Sequence, residues 1–273
     1  MRIIFFFSCL VLAISAFTQR RLTAEERAAI LNQHNMYKRK VANGQQEARD
    51  GKLPTAADMR AYEYDVSIED LAFEWASNCV WKHSSDHGGE NIYAVSGEDN
   101  VTAIAISSVD SWFSEVKGFN VSNVADFEVD PNVVTGHFTQ VIWGKSYRLG
   151  CAIAHCSSIE NLSSGFDNGY FAVCNYEDRG NYISWPVYTS GDICSKCPEG
   201  TTCEDSLCVL PLESTTASVQ STTEEYSVGS TTEESSVQST TEEYSTQSTT
   251  EEGSSSGEEG VSTTLGPDSV QIF

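Results

Sequence analysis

Gly136-His-Phe-Thr-Gln-Val-Ile-Trp143 decides the fold of this chain, and three further stretches belong with it: His83-Ser84 followed by Gly89-Glu-Asn-Ile92, Trp112-Phe-Ser-Glu115, and Cys174-Asn-Tyr-Glu-Asp-Arg-Gly-Asn181. The sequence around them predicts both helices and strands. Toward the N-terminus, Thr23-Ala-Glu-Glu26 has the capping-box form, in which a hydroxyl and a carboxylate satisfy free amides, and Ile30, His34, Tyr37 and Val41 follow at helical spacing. A second helix is predicted to start near Ser67, with Leu71, Ala72, Trp75, Ala76 and Cys79 facing inward. A third is predicted over Ala103 to Val116, with Val109, Trp112, Phe113 and Val116 as its inward stripe. After Gly150, the period-two run Cys151-Ala-Ile-Ala-His155 and the apolar run Tyr170 to Cys174 predict antiparallel strands. Helices and strands in one segment of this length give the class α+β, a layered domain large enough to bury a core.

The first residues, Met1-Arg2 and an apolar run from Ile3 to Phe17 followed by polar Gln19-Arg20-Arg21, read as a signal peptide over 1–18, with cleavage between Ala16 and Gln19. The run is too short to span a bilayer. No later segment is apolar enough to anchor, and residues 266–273 lack the apolar tail of a lipid-anchor signal. A secreted chain meets an oxidising compartment, which favours paired thiols. Without Cys9, eight cysteines remain: Cys79, Cys151, Cys156, Cys174, Cys194, Cys197, Cys203 and Cys208. The even number is consistent with four bridges; the competing reading is a zinc site in Cys194, Cys197, Cys203 and Cys208, because a pair two residues apart is a common ligand spacing. Asn100, Asn120 and Asn161 stand in Asn-x-Ser/Thr sequons and are candidate glycan acceptors on the surface.

The net charge of −23 argues against nucleic acid and anionic membranes as partners, since both attract basic patches. From Glu213 onward there are 12 acidic residues and no Lys or Arg. That region repeats every nine residues, Val219-Gln-Ser-Thr-Thr-Glu-Glu-Tyr-Ser being the first copy and Val228, Val237 and Thr246 opening the next three. One or two modest side chains per repeat, beside paired like charges, cannot offset a backbone ordering term of about 1–2 kcal/mol per residue. Residues 211–273 are therefore read as a disordered, extended tail, whose hydroxyls and Glu-Glu-Tyr triplets fit O-glycosylation, tyrosine sulfation or an unmodified spacer.

The four quoted stretches resemble the signatures of the CAP superfamily (cysteine-rich secretory, antigen-five and pathogenesis-related proteins), and the venom-allergen-like secreted proteins within it. Gly136–Trp143 matches the first signature at every position; Cys174–Asn181 resembles the second but carries Asp178 where proline is usual and Ala172 where a larger apolar residue is usual. The resemblance covers residues 19–192 and implies an α-β-α sandwich, with helices on both faces of a small antiparallel sheet. It also implies pairing of Cys79 with Cys156 and of Cys151 with Cys174. Residues 193–210 resemble the hinge that follows the domain in cysteine-rich secretory proteins, which implies Cys194 with Cys203 and Cys197 with Cys208; the channel-regulating module of some relatives is absent, removing the best reason to expect ion-channel blockade.

The resemblance further implies a cleft lined by His83, Glu90, Glu115 and His137. Two imidazoles can hold zinc or another divalent cation while carboxylates orient them or complete the shell; the same four groups can equally form a self-satisfied hydrogen-bond network. His34 and His155 read as structural. In some relatives a loop before the Gly-His-Phe-Thr motif holds sterols and a slot between helices holds fatty acids. Here the loop is residues 117–133, with Phe119 and Phe127 as the aromatic residues able to close over a ring system, against the polarity of Asp126, Glu128, Asp130 and the sequon at Asn120. The sequence contains neither a Gly-x-Ser-x-Gly elbow nor a His-Glu-x-x-His pair. The expectation is a secreted, non-enzymatic binding protein, monomeric or weakly dimeric, that requires no cofactor and meets an extracellular protein partner or carries a sterol or fatty acid. The alternative is a metal-dependent hydrolase or protease using the tetrad, with Ser84 beside His83 as the nucleophile to be tested.

Overall fold

The computed structural model describes residues 19–85, 88–162, 166–211 and 269–270. The signal-peptide reading and nearly all of the repeat tail lie outside these residues. Helix α1 (Ala24–Ala42) starts at the capping box: Thr23 Oγ1 accepts from Glu26 N at 3.2 Å, and Glu26 Oε2 accepts from Thr23 N at 2.7 Å. Its buried stripe is Ile30, His34, Lys38 and Val41. Strands β1 (Glu47–Ala48) and β2 (Gly51–Lys52) form a small hairpin, and β3 (Glu63–Tyr64) leads through the Asp65 cap into α2 (Val66–Ala76). Then come β4 (Gly89–Val95) and α3 (Val101–Ser114), two 3-10 turns (Glu115–Gly118 and Val121–Val124) and α4 (Gly136–Ile142). Strands β5 (Arg148–Cys156) and β6 (Gly169–Glu177) follow, with β7 (Thr202–Glu204), β8 (Leu207–Val209) and β9 (Ser269–Val270) completing the order.

The central sheet runs β3-β5-β6-β4-β9. The β5–β6, β6–β4 and β4–β9 pairs are antiparallel, but β3 lies parallel to β5, so the expected all-antiparallel sheet is corrected at that edge. A parallel pair needs a long crossover, and the chain from α2 through α4 supplies it. Ser269 and Val270 pair with Val95 and Ala94.

Side chains alternate across each strand, and each face has its own core. Ile92, Ala94, Ala152, Ala154, Phe171 and Val173 pack with Ala72 and Ala76 of α2. Tyr93, Leu149, Cys151, Ile153, Ala172 and Cys174 point the other way, into the core shared with α1, α3 and α4. This period-two split is what makes the domain an α-β-α sandwich. It also corrects the predicted inward face of α2: Ile68, Glu69, Ala72 and Ala76 are buried, whereas Leu71 is exposed and Cys79 lies beyond the helix at φ 53°. Glu69 can be buried because Arg27 donates to both its oxygens at 2.6 and 2.7 Å and the Tyr64 hydroxyl donates at 2.6 Å.

Four disulfides join Cys79 to Cys156, Cys151 to Cys174, Cys194 to Cys203 and Cys197 to Cys208. Cys151 and Cys174 face each other directly across β5 and β6. The β7–β8 hairpin is docked: Cys208 N donates to Met59 O at 2.8 Å, Ala61 N donates to Cys208 O at 3.0 Å, and Leu207 is buried. Beyond the two residues of β3, the outer edge of β5 is covered by side chains. The Tyr64 hydroxyl, whose proton goes to Glu69, accepts from Cys151 N at 3.2 Å, and the Gln19 amide donates to His155 O at 2.7 Å and accepts from His155 N at 3.1 Å. Among the described residues no helix is long and apolar enough to cross a membrane.

Candidate functional site

The cleft is assembled from three elements that the sequence keeps far apart. Glu90 lies on β4, Glu115 opens the turn after α3, and His137 sits in the first turn of α4. The α4 helix is buried at every position and is tied down on both sides. Thr139 Oγ1 donates to Asn181 Oδ1 at 2.6 Å, Asn181 Nδ2 donates to Gly136 O at 2.9 Å, and Gln140 Oε1 accepts from Gly180 N at 2.8 Å. The Trp112 ring lies parallel to the His137 ring, with centroids 6.4 Å apart, and Phe138 points into the core against Phe113 and Phe119. The octapeptide thus spends its Thr and Gln on positioning, its Phe on packing, and its His on the cleft.

Both imidazoles are held from behind by carboxylates. His83 Nδ1 lies 2.8 Å from Glu90 Oε1, and His137 Nδ1 lies 2.7 Å from Glu115 Oε1. In the neutral ring, Nδ1–H donates to the carboxylate and the lone pair falls on Nε2. Each carboxylate is itself anchored. Glu90 also accepts from Ser84 N at 2.9 Å, Ser84 Oγ at 2.8 Å and Asn175 Nδ2 at 3.3 Å; Glu115 also accepts from Phe138 N at 3.1 Å. Burial pushes the Glu90 pKa up, but the hydrogen bonds from His83 and Ser84 together outweigh it and hold the carboxyl below its ordinary value. A second layer reaches α1: Asn91 Nδ2 donates to His137 O and to the Tyr176 hydroxyl, which lies 2.9 Å from His34 Nε2. His34 Nδ1 is 2.7 Å from Ile30 O, and burial draws the His34 pKa down to about 4, so this ring is neutral.

The cleft has a volume of about 330 Å³ and is polar, with Gly88, Gly136, Arg179 and Asn181 completing the wall around the two histidines. The centroids of His83 and His137 are 6.4 Å apart and their planes are inclined by 30°. With Zn–N bonds of about 2 Å, one ion bound to a nitrogen of each ring keeps two imidazole centroids on the order of 5–6 Å apart, so the two rings, at 6.4 Å, would have to close together to share a divalent cation. Glu90 and Glu115 fit as the carboxylates that orient such ligands.

Other expected positions fall elsewhere. Phe119 and Phe127 do not border an open pocket: each is 1% exposed, Phe119 packed edge-on to Phe138 and Phe127 edge-on to Trp143, because these core rings offer them more apolar contact than solvent does. The sequence placed them as lids over a sterol; here both are packed in the core. Ser84 gives its hydroxyl proton to Glu90, which is a positioning role. The Sγ atoms of Cys194, Cys197 and Cys208 lie within 4.8 Å of one another, yet all three belong to disulfides and so lack the thiolate a zinc ligand needs. His155 stacks on Tyr170, with centroids 4.5 Å apart. Asn100 caps α3 through Oδ1, which accepts from Ala103 N at 3.1 Å; Asn161 is exposed at φ 65°, and Asn120 is half-buried before the second 3-10 turn. Sequence reasoning missed Asn175 and Arg179, although both lie inside a quoted stretch and so were within reach.

The profile of the family described as "CAP: Cysteine-rich secretory protein family" matches residues 24–176. Peptidase inhibitor 16 of Mus musculus is 33% identical over 189 residues, which cover 68% of this chain and 34% of that protein. The Ancylostoma secreted protein of Ancylostoma caninum is 35% identical over 206 residues, 70% of this chain and 45% of its own length. This chain therefore spans between a third and a half of the length of these curated relatives. A crystal structure of NaASP2 with Zn2+ superposes with a TM-score of 0.57 at 32% identity, over 69% of this chain and 97% of that one. On the profile, the relatives and the shared sandwich together, the chain belongs to the CAP family of cysteine-rich secretory proteins.

Proposed function

We propose that this is a secreted, non-enzymatic CAP-domain binding protein whose cleft receives an extracellular protein partner, with a divalent cation held between His83 and His137. The observation that carries the reading is the clamping of both imidazoles at Nδ1 by anchored carboxylates. When bound, zinc supplies a fixed positive charge and open coordination positions. Glu90 and Glu115 keep the two rings aligned for it, and the cleft is open enough to admit a protruding side chain of the partner.

The same contacts weigh against Glu90 and Glu115 as the general bases of the hydrolase or protease reading. A general base needs an uncommitted lone pair near the reacting atom, whereas Glu90 and Glu115 spend theirs on His83, Ser84, Asn175, His137 and Phe138. The burial of Phe119 and Phe127 favours a protein partner over a sterol at that loop. The name of the mouse relative, Peptidase inhibitor 16, describes action on another protein and supports the same direction. Secretion is supported by the family's own description and by four disulfides, which persist in oxidising compartments.

The test is calorimetric titration of zinc into the secreted protein and into its His83→Ala, His137→Ala variant. One zinc per chain is expected in the first and none in the second. At a free zinc concentration one hundred times Kd, stability should rise by about 2.7 kcal/mol in the wild type alone. Equal binding by both proteins would sink the assignment.

A further inference from the structure

Beside the cleft lies a second cavity of about 250 Å³, bordered by Trp143, Lys145, Asp178, Arg179, Tyr182 and Trp185. It sets two cations and two exposed aromatic rings against one carboxylate, Asp178. Tyr182 and Trp185 are large aromatic residues left 38% and 48% exposed, and their rings lie 5.3 Å apart, inclined by 36°. Each carries a cation: Lys145 Nζ stands 4.8 Å from the Trp185 centroid, and the Arg179 guanidinium stands 4.8 Å from the Tyr182 centroid. Arg179 Nε also donates to the Tyr182 hydroxyl at 3.0 Å. Among the described residues no carboxylate forms an ion pair with Lys145 or Arg179, a state they share with other surface cations such as Lys40 and Lys117.

Two cations kept without a carboxylate partner, and steadied against aromatic faces, form a preorganised anion site. The exposed rings beside them supply the apolar anchor typical of interface hot spots. Arg179 also borders the histidine cleft, so the two cavities adjoin at one side chain. We infer that the Lys145, Arg179, Tyr182 and Trp185 face receives an acidic peptide segment of the protein partner, carboxylates on the cations and an apolar side chain against the two rings. This inference rests on the protein-partner reading of the neighbouring cleft and specifies the chemistry of that partner. Long anionic polysaccharides are disfavoured, because a net charge of −23 repels an extended polyanion while a short peptide is answered locally by the two cations.

The experiment is fluorescence anisotropy with a labelled Glu-Glu-Phe-Glu-Glu peptide and the full secreted chain. Saturable binding is expected, weakening about tenfold in Lys145→Glu, Arg179→Glu and in Trp185→Ala, and several-fold when salt is raised. Binding of a Lys-Lys-Phe-Lys-Lys control with equal affinity would overturn the proposal. So would the absence of peptide binding, unchanged affinity in the variants, or capture of heparin in place of the peptide. These side chains are exposed and Trp185→Ala leaves charge unaltered, so unchanged circular dichroism separates lost contact from lost fold. The His83→Ala, His137→Ala protein is titrated in parallel: peptide affinity that depends on the histidines but not on Lys145, Arg179 or Trp185 overturns this face and leaves the cleft reading standing. Zinc binding, measured separately, reports on the cleft alone.

Discussion

His34 shows how one residue can set the acid limit of the fold. Its ring is fully buried, bonded at both nitrogens, and drawn down from 6.5 to about 4. The folded state therefore keeps it neutral while the unfolded chain protonates it near its ordinary pKa, so between those values the unfolded state binds more protons. Stability is then full above about pH 6.5 and falls as pH drops toward 4, by roughly 3 kcal/mol in all. Glu90, held below its ordinary value, adds a further loss only at lower pH, once it is forced to take a proton. Urea unfolding measured from pH 7 to 4.5 should follow the His34 slope, and His34→Asn should flatten it; an unaltered slope would assign the dependence to other groups. Lys38 is a second buried titratable residue on the same stripe. Its Nζ donates to the carbonyls of Arg60, Trp143 and Ser146 and stands 3.9 Å from the Tyr62 centroid, which joins α1 to the end of α4.

Among the elements, α2 depends on what its neighbour lacks. A Cβ placed on Gly150 would stand 2.0 Å from Glu69 N and 2.5 Å from Ile68 C, so the helix reaches β5 only because that position is glycine. Gly150→Ala is expected to lift α2 from the sheet and lower stability by about 3 kcal/mol or more in urea, beyond an ordinary overpacking change; a loss below about 1 kcal/mol would mean that the backbone yields easily. The sequence shows α1 down to its capping box, because a cap is a contact between near neighbours. It shows the inward face of α2 poorly, because Glu69 is buried only through Arg27 and Tyr64, partners on other elements. The burial of Phe119 and Phe127 was hidden for the same reason: Phe138 and Trp143, against which they pack, come later in the chain. The histidines and glutamates of the cleft were legible through resemblance alone. Ser84, Asn91 and Asn175 stand in the quoted stretches, but their part in holding the cleft is a matter of contacts made in the folded chain.

At the scale of the whole molecule, the Cys79–Cys156 bridge closes the longest loop of the four, spanning 77 residues and fastening the end of α2 to the end of β5. By loop-closure entropy, its replacement with Cys79→Ser, Cys156→Ser should reduce stability by about 4 kcal/mol, measured by thermal unfolding. A much smaller loss would mean that the unfolded chain is already compact. The Gln19 amide, which occupies both the N–H and the carbonyl of His155, has a bearing on shelf life. A version of the protein trimmed by even one residue past Gln19 uncovers that stretch of strand, and an uncovered strand is a template on which a second molecule can lay its own. Trimming should therefore be felt first as turbidity on concentration, before any change in melting temperature, and the choice of N-terminus becomes a question of colloidal behaviour as much as of folding.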